Sequence, residues 1–173
     1  GYNSRWARHE LDSVISSLSV HVAAVTIMFG TNDHVLPSYP QHVSVKEYKE
    51  NLVYICRQFK SNFPGVKIVL MSPPPIDSEA LLLAARFLGR RGDMTGGRST
   101  DRIMPYARTM ESVAAAEECH FIDVFTLMLS EAYKDLLADG VHLSAAGHAW
   151  FYRHVAAGLR DVGIAPTSLP EHM

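Results

Sequence analysis

The chain has 173 residues, of which 47% are apolar and 20% are charged, a composition typical of one globular domain with a substantial core. Its formal net charge of -2, without long runs of like charge, argues against a nucleic-acid-binding protein that neutralises phosphates. No apolar stretch approaches the roughly 20 residues of a membrane-spanning helix. We therefore expect neither a nucleic-acid partner nor a membrane span.

Two cysteines, Cys56 and Cys119, lie among apolar neighbours in helical patterns. This setting predicts buried free thiols rather than a disulfide, and it favours an intracellular, cytoplasmic location. The N-terminal sequence GYNSRWARHEL is polar and has no signal-peptide pattern. Because Gly1 replaces the usual methionine, we expect that processing, truncation or cloning created this start.

In the first third of the chain, apolar residues at helical spacing predict a helix over residues 4 to 18, and Ser4 is placed to cap it. The run VAAVTIMF, residues 22 to 29, is apolar on both parities apart from Thr26 and predicts a strand buried on both faces. Ser44 and Glu47 form a capping box in front of the next helix.

The rest of the chain continues to alternate between strand and helix patterns. SPPP, residues 72 to 75, must leave the sheet in extended conformation, and GRRGDMTGGRST, residues 89 to 100, predicts a surface loop. The other predicted elements are a strand over residues 66 to 71, a helix near 79 to 88, a helix marked by Ile103, Ala107, Met110 and Ala114, a strand over 120 to 125, and a last helix with Ser144 as N-cap.

This alternation predicts an α/β fold with a doubly wound parallel sheet, in which ligands bind beyond the carboxyl ends of the strands. Asn32 follows the first strand and Ser72 follows the second. Asp139 and His142 lie in the loop after the third strand and a short helix. We therefore expect these polar residues to gather at one edge of the sheet.

The segment DGVH suits acid–base chemistry, because a carboxylate at Asp139 can fix the tautomer and orientation of His142. A serine supplied from elsewhere would complete a triad, and the amide of Asn32 could donate to a developing oxyanion. Asn-Asp and Asp-Gly are also common turn sequences, and a histidine before a helix cap is often simply half-buried. The case for catalysis rests on finding both motifs at one sheet edge.

The chain resembles the SGNH/GDSL hydrolase superfamily over nearly its whole length, in particular the isoamyl acetate-hydrolysing esterases. GTND resembles the third block of that family, DGVHLSAAG the fifth and GYNSRWA the second, and the SPPP loop is also typical. The resemblance implies a flavodoxin-like three-layer α/β/α fold. It implies that Asp139 and His142 are the acid and base of a Ser-His-Asp triad, and that Asn32 and Gly1 donate to the oxyanion.

The first block of the family, Gly-Asp-Ser with the nucleophile, has no counterpart here. Gly92-Asp93-Met94 has methionine in the place of the serine, Ser4 is placed to cap, and Ser72 lacks a glycine elbow. The resemblance implies that the serine lies upstream of Gly1, together with the first two strands. Without those strands, residues 22 to 29 would form a bare apolar edge, which soluble proteins avoid.

We therefore expect residues 1 to 173 to form a single SGNH hydrolase-like domain that is N-terminally incomplete. The expected function is that of a serine esterase or acyl hydrolase acting on a short-chain ester or an O-acetyl group, without a cofactor. A missing N-terminal segment or a partner chain would complete the sheet. Alone, this chain should be inactive and not a stable monomer, because the apolar faces of Trp6, Val14 and Leu18 would meet water.

Other functions fit the sequence less well. A non-catalytic SGNH-like subunit, structural or binding, would keep the fold without a working serine. A nucleotide-binding flavodoxin-like domain would need a glycine-rich phosphate loop after a strand, and none is present. A metal site is not expected, because His142, His148 and His154 are spaced by six residues and do not share one helical face.

Overall fold

The structure is a computed structural model that describes residues 1–88 and 95–164, in which helices alternate with the strands of a parallel sheet. In chain order the elements are α1 (Ser4–Ser17), β1 (Ala24–Ile27), α2 (Val45–Asn62), β2 (Lys67–Met71), α3 (Ser78–Phe87), α4 (Thr100–Ala116), β3 (His120–Ile122), α5 (Val124–Leu129), a short 3-10 helix (Tyr133–Leu136) and α6 (Ala145–Asp161).

The described strands are ordered β1-β2-β3, and both pairings are parallel. The central strand β2 divides the core in two. Ile68 and Leu70 pack on one face with side chains of α1, α2 and α4, whereas Val69 and Met71 pack on the other with α5 and α6. Alternate side chains of a strand point to opposite faces, so a strand covered on both sides must be apolar throughout. The predicted three-layer α/β/α fold is confirmed.

The helix starts show which local predictions hold. Ser44 and Ser144 cap α2 and α6 as predicted, each accepting a hydrogen bond from a backbone N–H three residues on. The carboxylate of Glu47, however, binds Arg5 at 2.5 and 2.7 Å rather than closing a capping box. Ser4 is not a cap: Asn3 is the N-cap of α1, and Ser4 is buried.

All three predicted strands are shorter in the structure, the second by a single residue, Val66. The first spans Ala24–Ile27 instead of residues 22 to 29, and its expected burial on both faces is wrong, because Thr26 is exposed. Within the described residues β1 lies at the edge of the sheet and pairs with β2 alone. The third strand ends at Ile122, since Asp123 caps α5 by accepting from the Thr126 N–H at 3.1 Å.

The outer side of β1 is open. Trp6, Val14 and Leu18 of the α1 region are 38%, 47% and 37% exposed. A mainly apolar groove of about 410 Å³ lies between α1 and β1 and extends to Ile55 and Phe59 of α2. Apolar surface therefore continues past the edge of the described sheet.

Cys56 and Cys119 are free cysteines, as predicted, but only Cys56 is buried, and Cys119 is half-buried. Among residues 1–88 and 95–164, no helix is both long and apolar enough to span a membrane. Of the loop predicted over residues 89 to 100, residues 89–94 fall outside the described part, and Gly92-Asp93-Met94 falls with them.

Candidate active site

The DGVH segment forms a tight loop in which Asp139 holds His142. One carboxylate oxygen of Asp139 lies 2.7 Å from Nδ1 of His142, and the other accepts the backbone N–H groups of Val141 and His142 at 3.0 and 2.8 Å. Gly140 permits this turn with a φ of +89°. The His142 side chain is 80% exposed, so the ring is fixed by the carboxylate rather than by packing.

The ionisation of Asp139 suits this contact. Burial raises the pKa of the carboxyl, but the hydrogen bonds from the backbone and side chain of His142 and from Val141 outweigh burial, so the pKa is lowered overall. An ionised carboxylate can only accept, which requires that Nδ1 carries the hydrogen when His142 is neutral. Nε2 is then the ring nitrogen that can take a proton.

The loop is docked on the start of α3. The Asp77 N–H donates to the carbonyl of Gly140 at 3.0 Å, and the Asp77 side chain caps α3 through the N–H groups of Glu79 and Ala80. A Cβ on Gly140 would lie 2.2 Å from the Asp77 carbonyl oxygen and 2.6 Å from the Leu81 nitrogen. The glycine is therefore required both for its backbone conformation and for this close approach.

The GTND loop is fixed by its last residue. The buried carboxylate of Asp33 accepts the N–H of Gly30 at 3.1 Å and that of Ser4 at 2.9 Å. Burial raises the pKa of Asp33 although these hydrogen bonds oppose the shift. Gly30 has a φ of +120°, and a Cβ there would lie 2.8 Å from Cγ of Pro73 in the SPPP loop. Asp33 thus ties the beginning of the chain to the end of β1.

Asn32 projects from this loop with its amide held at both ends. Nδ2 donates to the carbonyl of Tyr2 at 2.8 Å, and Oδ1 accepts from the guanidinium of Arg98 at 2.9 Å. One amide N–H of Asn32 is not used in these contacts. Gly1 is exposed and directly precedes Tyr2. The hydrogen bond between Asn32 and Tyr2 therefore places the two predicted oxyanion donors, Gly1 and Asn32, on adjacent segments.

A cavity of about 620 Å³ joins the two loops. Its polar side includes Asn32, Asp139 and His142, and α3 provides a mainly apolar wall. The full lining is Asn32, Tyr39, Gln41, Leu81, Ala84, Ala85, Leu88, Arg98, Asp139, Val141 and His142. The structure therefore brings three of the predicted site residues to one cavity, whereas Gly1 is not part of its lining. The sequence did not point to Arg98 as a site residue, because a single arginine in a glycine-rich loop matches no recognisable motif.

Neither serine considered as a nucleophile reaches the described cavity. Ser72 is fully buried, where its hydroxyl donates to Asp123 at 3.0 Å and accepts the Phe125 N–H at 2.9 Å. The hydroxyl of Ser4 is also buried and accepts from Asn51 at 3.1 Å. Both hydroxyls have structural roles.

The histidines of α6 contribute nothing to this site. His148 is exposed, and His154 packs against Trp150 with ring centroids 3.9 Å apart. In the part of the chain that the structure describes, no three His, Cys, Asp or Glu side chains group as metal ligands.

The profile of the GDSL-like Lipase/Acylhydrolase family matches residues 1–150, which is most of the chain. The chain belongs to this family. It is 35% identical to a GDSL esterase/lipase of Arabidopsis thaliana, an alignment that covers 98% of this chain and 73% of that protein. It is 32% identical to the human isoamyl acetate-hydrolyzing esterase 1 homolog, with 90% of this chain and 63% of that protein covered.

Solved structures of two other proteins have the same fold. A lipase/acylhydrolase from Enterococcus faecalis superposes with a TM-score of 0.68 at 22% identity, covering 92% of this chain and 71% of that one. A variant of Axe2, an acetyl-xylooligosaccharide esterase from Geobacillus, superposes with a TM-score of 0.66 at 25% identity, covering 94% and 68%. Membership of this family supports carboxylic ester hydrolysis as the class of reaction.

Proposed function

We propose that this GDSL-family chain supplies the acid, the base and the oxyanion-hole donors of a serine esterase. The observation that carries the proposal is the cavity into which Asp139, His142 and Asn32 converge. His142 has the orienting carboxylate that a general base needs, and Asn32 keeps one amide N–H for an oxyanion. The family relationship supplies the reaction class, ester hydrolysis.

The attacking serine belongs to a segment that precedes Gly1. His142 Nε2 takes the hydroxyl proton as the serine oxygen bonds to the ester carbonyl carbon, and the carbonyl oxygen becomes an oxyanion. Asn32 Nδ2–H and the Gly1 N–H donate to that oxygen. His142 then returns the proton to the departing alcohol, and water releases the acyl group from the serine by the same steps.

The same upstream segment completes the sheet beside β1 and covers the apolar groove between α1 and β1. In support, β1 has an unpaired edge within the described residues, and the chain spans 73% of the length of the Arabidopsis relative. Residues 1–173 are then inactive alone and do not form a stable monomer. The free thiols of Cys56 and Cys119 support a reducing, cytoplasmic location.

We propose a short-chain ester or an O-acetyl group as substrate. The apolar wall of α3 beside the polar site residues suits a small acyl group, and two similar proteins are named for acetate or acetyl esters. The alcohol part of the ester then lies towards the more polar side of the cavity, which Tyr39 and Gln41 line.

The test compares the full-length protein with residues 1–173 alone, using p-nitrophenyl acetate and a fluorophosphonate that labels active serines. We expect turnover and labelling of the full-length protein, both abolished by His142→Ala, and neither in the shorter chain. A folded full-length protein that is never labelled would instead be a non-catalytic SGNH-like subunit. Turnover by the shorter chain would place the nucleophile within these 173 residues.

A further inference from the structure

Arg98 occupies an unusual place in the cavity wall. Its guanidinium donates to the backbone carbonyls of Thr31 at 3.2 Å and Thr95 at 3.0 Å, and to the side-chain oxygen of Asn32 at 2.9 Å. None of the carboxylates in the described residues forms an ion pair with it. A half-buried cation that pairs with no described carboxylate is costly to hold, so its placement beside Asn32 calls for a reason.

The contact with Asn32 determines which way the amide faces. The oxygen and the NH₂ group of an asparagine have nearly the same shape, and a half-turn about the last side-chain bond exchanges them. A guanidinium has donors and no acceptor, so it can form a hydrogen bond with Oδ1 but not with Nδ2. The carbonyl of Tyr2 can only accept, so it requires Nδ2 rather than Oδ1 at the other end of the amide. An exchanged amide would lose both hydrogen bonds.

Resting on the proposed esterase function, we propose that Arg98 is a positioning residue that keeps the N–H of Asn32 directed at the oxyanion. The two backbone contacts hold the guanidinium plane still, and the third bond transmits that order to the amide. A donor to Oδ1 that carries a charge also polarises the amide and strengthens its N–H as a donor. Arg98 itself need not touch the substrate.

A double-mutant cycle in the full-length protein tests this role. The variants are Arg98→Met, Asn32→Ala and the pair, with Arg102→Met, an exposed arginine of α4, as the matched control. The substrates are neutral p-nitrophenyl acetate and anionic p-nitrophenyl succinate. Loss of one oxyanion donor lowers kcat by about 10²- to 10³-fold, so misorientation of that donor by Arg98→Met should lower kcat by about 10- to 100-fold.

We expect KM for the neutral ester to change by less than about threefold, and Arg98→Met to have no further effect once Asn32 is alanine. Arg102→Met should behave as the wild type. If Arg98→Met lowers the melting temperature markedly, Arg98→Lys is added: it keeps a charged donor, so it should recover much of the kcat that Arg98→Met loses.

Two results would overturn the proposal while leaving the esterase function intact. In the first, the losses from Arg98→Met and Asn32→Ala multiply, which means that Arg98 acts independently. In the second, the effect is a higher KM confined to the succinate ester, which means that Arg98 binds an anionic part of the substrate. Wild-type protein without ester hydrolysis would overturn the esterase function, and the role of Arg98 with it.

Discussion

Replacing Gly140 by alanine perturbs the loop between the proposed acid and base in two separable ways. A side chain at a φ of +89° costs about 1–2 kcal/mol through its own backbone. The added Cβ would also lie 2.2 Å from the carbonyl oxygen of Asp77, so the loop must move away from α3. Forcing a methyl group into packed structure costs about 1–3 kcal/mol. We therefore expect Gly140→Ala to lower the free energy of unfolding by about 2–5 kcal/mol.

Gly65 provides the matched control, because it has a φ of +85° and a Cβ added there would have no atom within 4 Å. Gly65→Ala should lower the free energy of unfolding by the conformational cost alone, about 1–2 kcal/mol. Urea denaturation of the full-length variants measures both values, and p-nitrophenyl acetate turnover measures the effect on the site. Gly140→Ala should lose most turnover because His142 shifts with the loop, whereas Gly65→Ala should retain it. Equal destabilisation by the two variants, with turnover intact in both, would refute the packing argument.

Three further predictions concern the site and its surroundings. In steady-state assays His142→Ala should lower kcat by several orders of magnitude and Asp139→Asn by less, and near-normal turnover of His142→Ala would contradict its role as base. Asn32→Ala should lower kcat by about 10²- to 10³-fold, and a loss below about tenfold would leave Asn32 as a turn residue. Burial lowers the pKa of His34, which is 2% exposed, from 6.5 to about 4. Between these two pH values the unfolded chain binds a proton at His34 and the folded chain does not. The free energy of unfolding is therefore highest above pH 6.5 and falls by about 3 kcal/mol as the pH is lowered towards 4. Urea unfolding at several pH values should show this slope reduced in His34→Gln but unchanged in a His9→Gln control.

Features set by a few neighbouring residues were predictable from the sequence. The caps at Ser44 and Ser144 are examples, because a hydroxyl and an N–H three residues on are close in any helix. The Asp139–His142 contact is another, since the two residues are three positions apart in the sequence and Gly140 supplies the turn. The order of helices and strands followed from periodicity, which also depends on neighbours alone.

Features decided by distant parts of the chain were not predictable. Ser4 looked like a cap, but Asp33, 29 residues away, binds its N–H and Asn3 takes the capping position. Arg98 reaches Asn32 across 66 residues, a contact for which no spacing rule exists. The early end of the third strand depends on Asp123 and on the hydroxyl of Ser72, which bind the first N–H groups of α5.

The Asp139–His142 pair lies in a hairpin that closes on itself. Leu137 and Leu143 form an antiparallel bridge, and the Ala138 N–H donates to the His142 carbonyl at 2.7 Å. A backbone hydrogen bond from Asp77 to Gly140 docks it on α3. Because the hairpin keeps its shape without the opposite wall of the cavity, substitutions at Tyr39 or Gln41 can change which ester fits while the base stays oriented. Directed evolution of new substrate preferences should therefore begin at that wall, and it should leave the hairpin and its contact with the start of α3 unchanged.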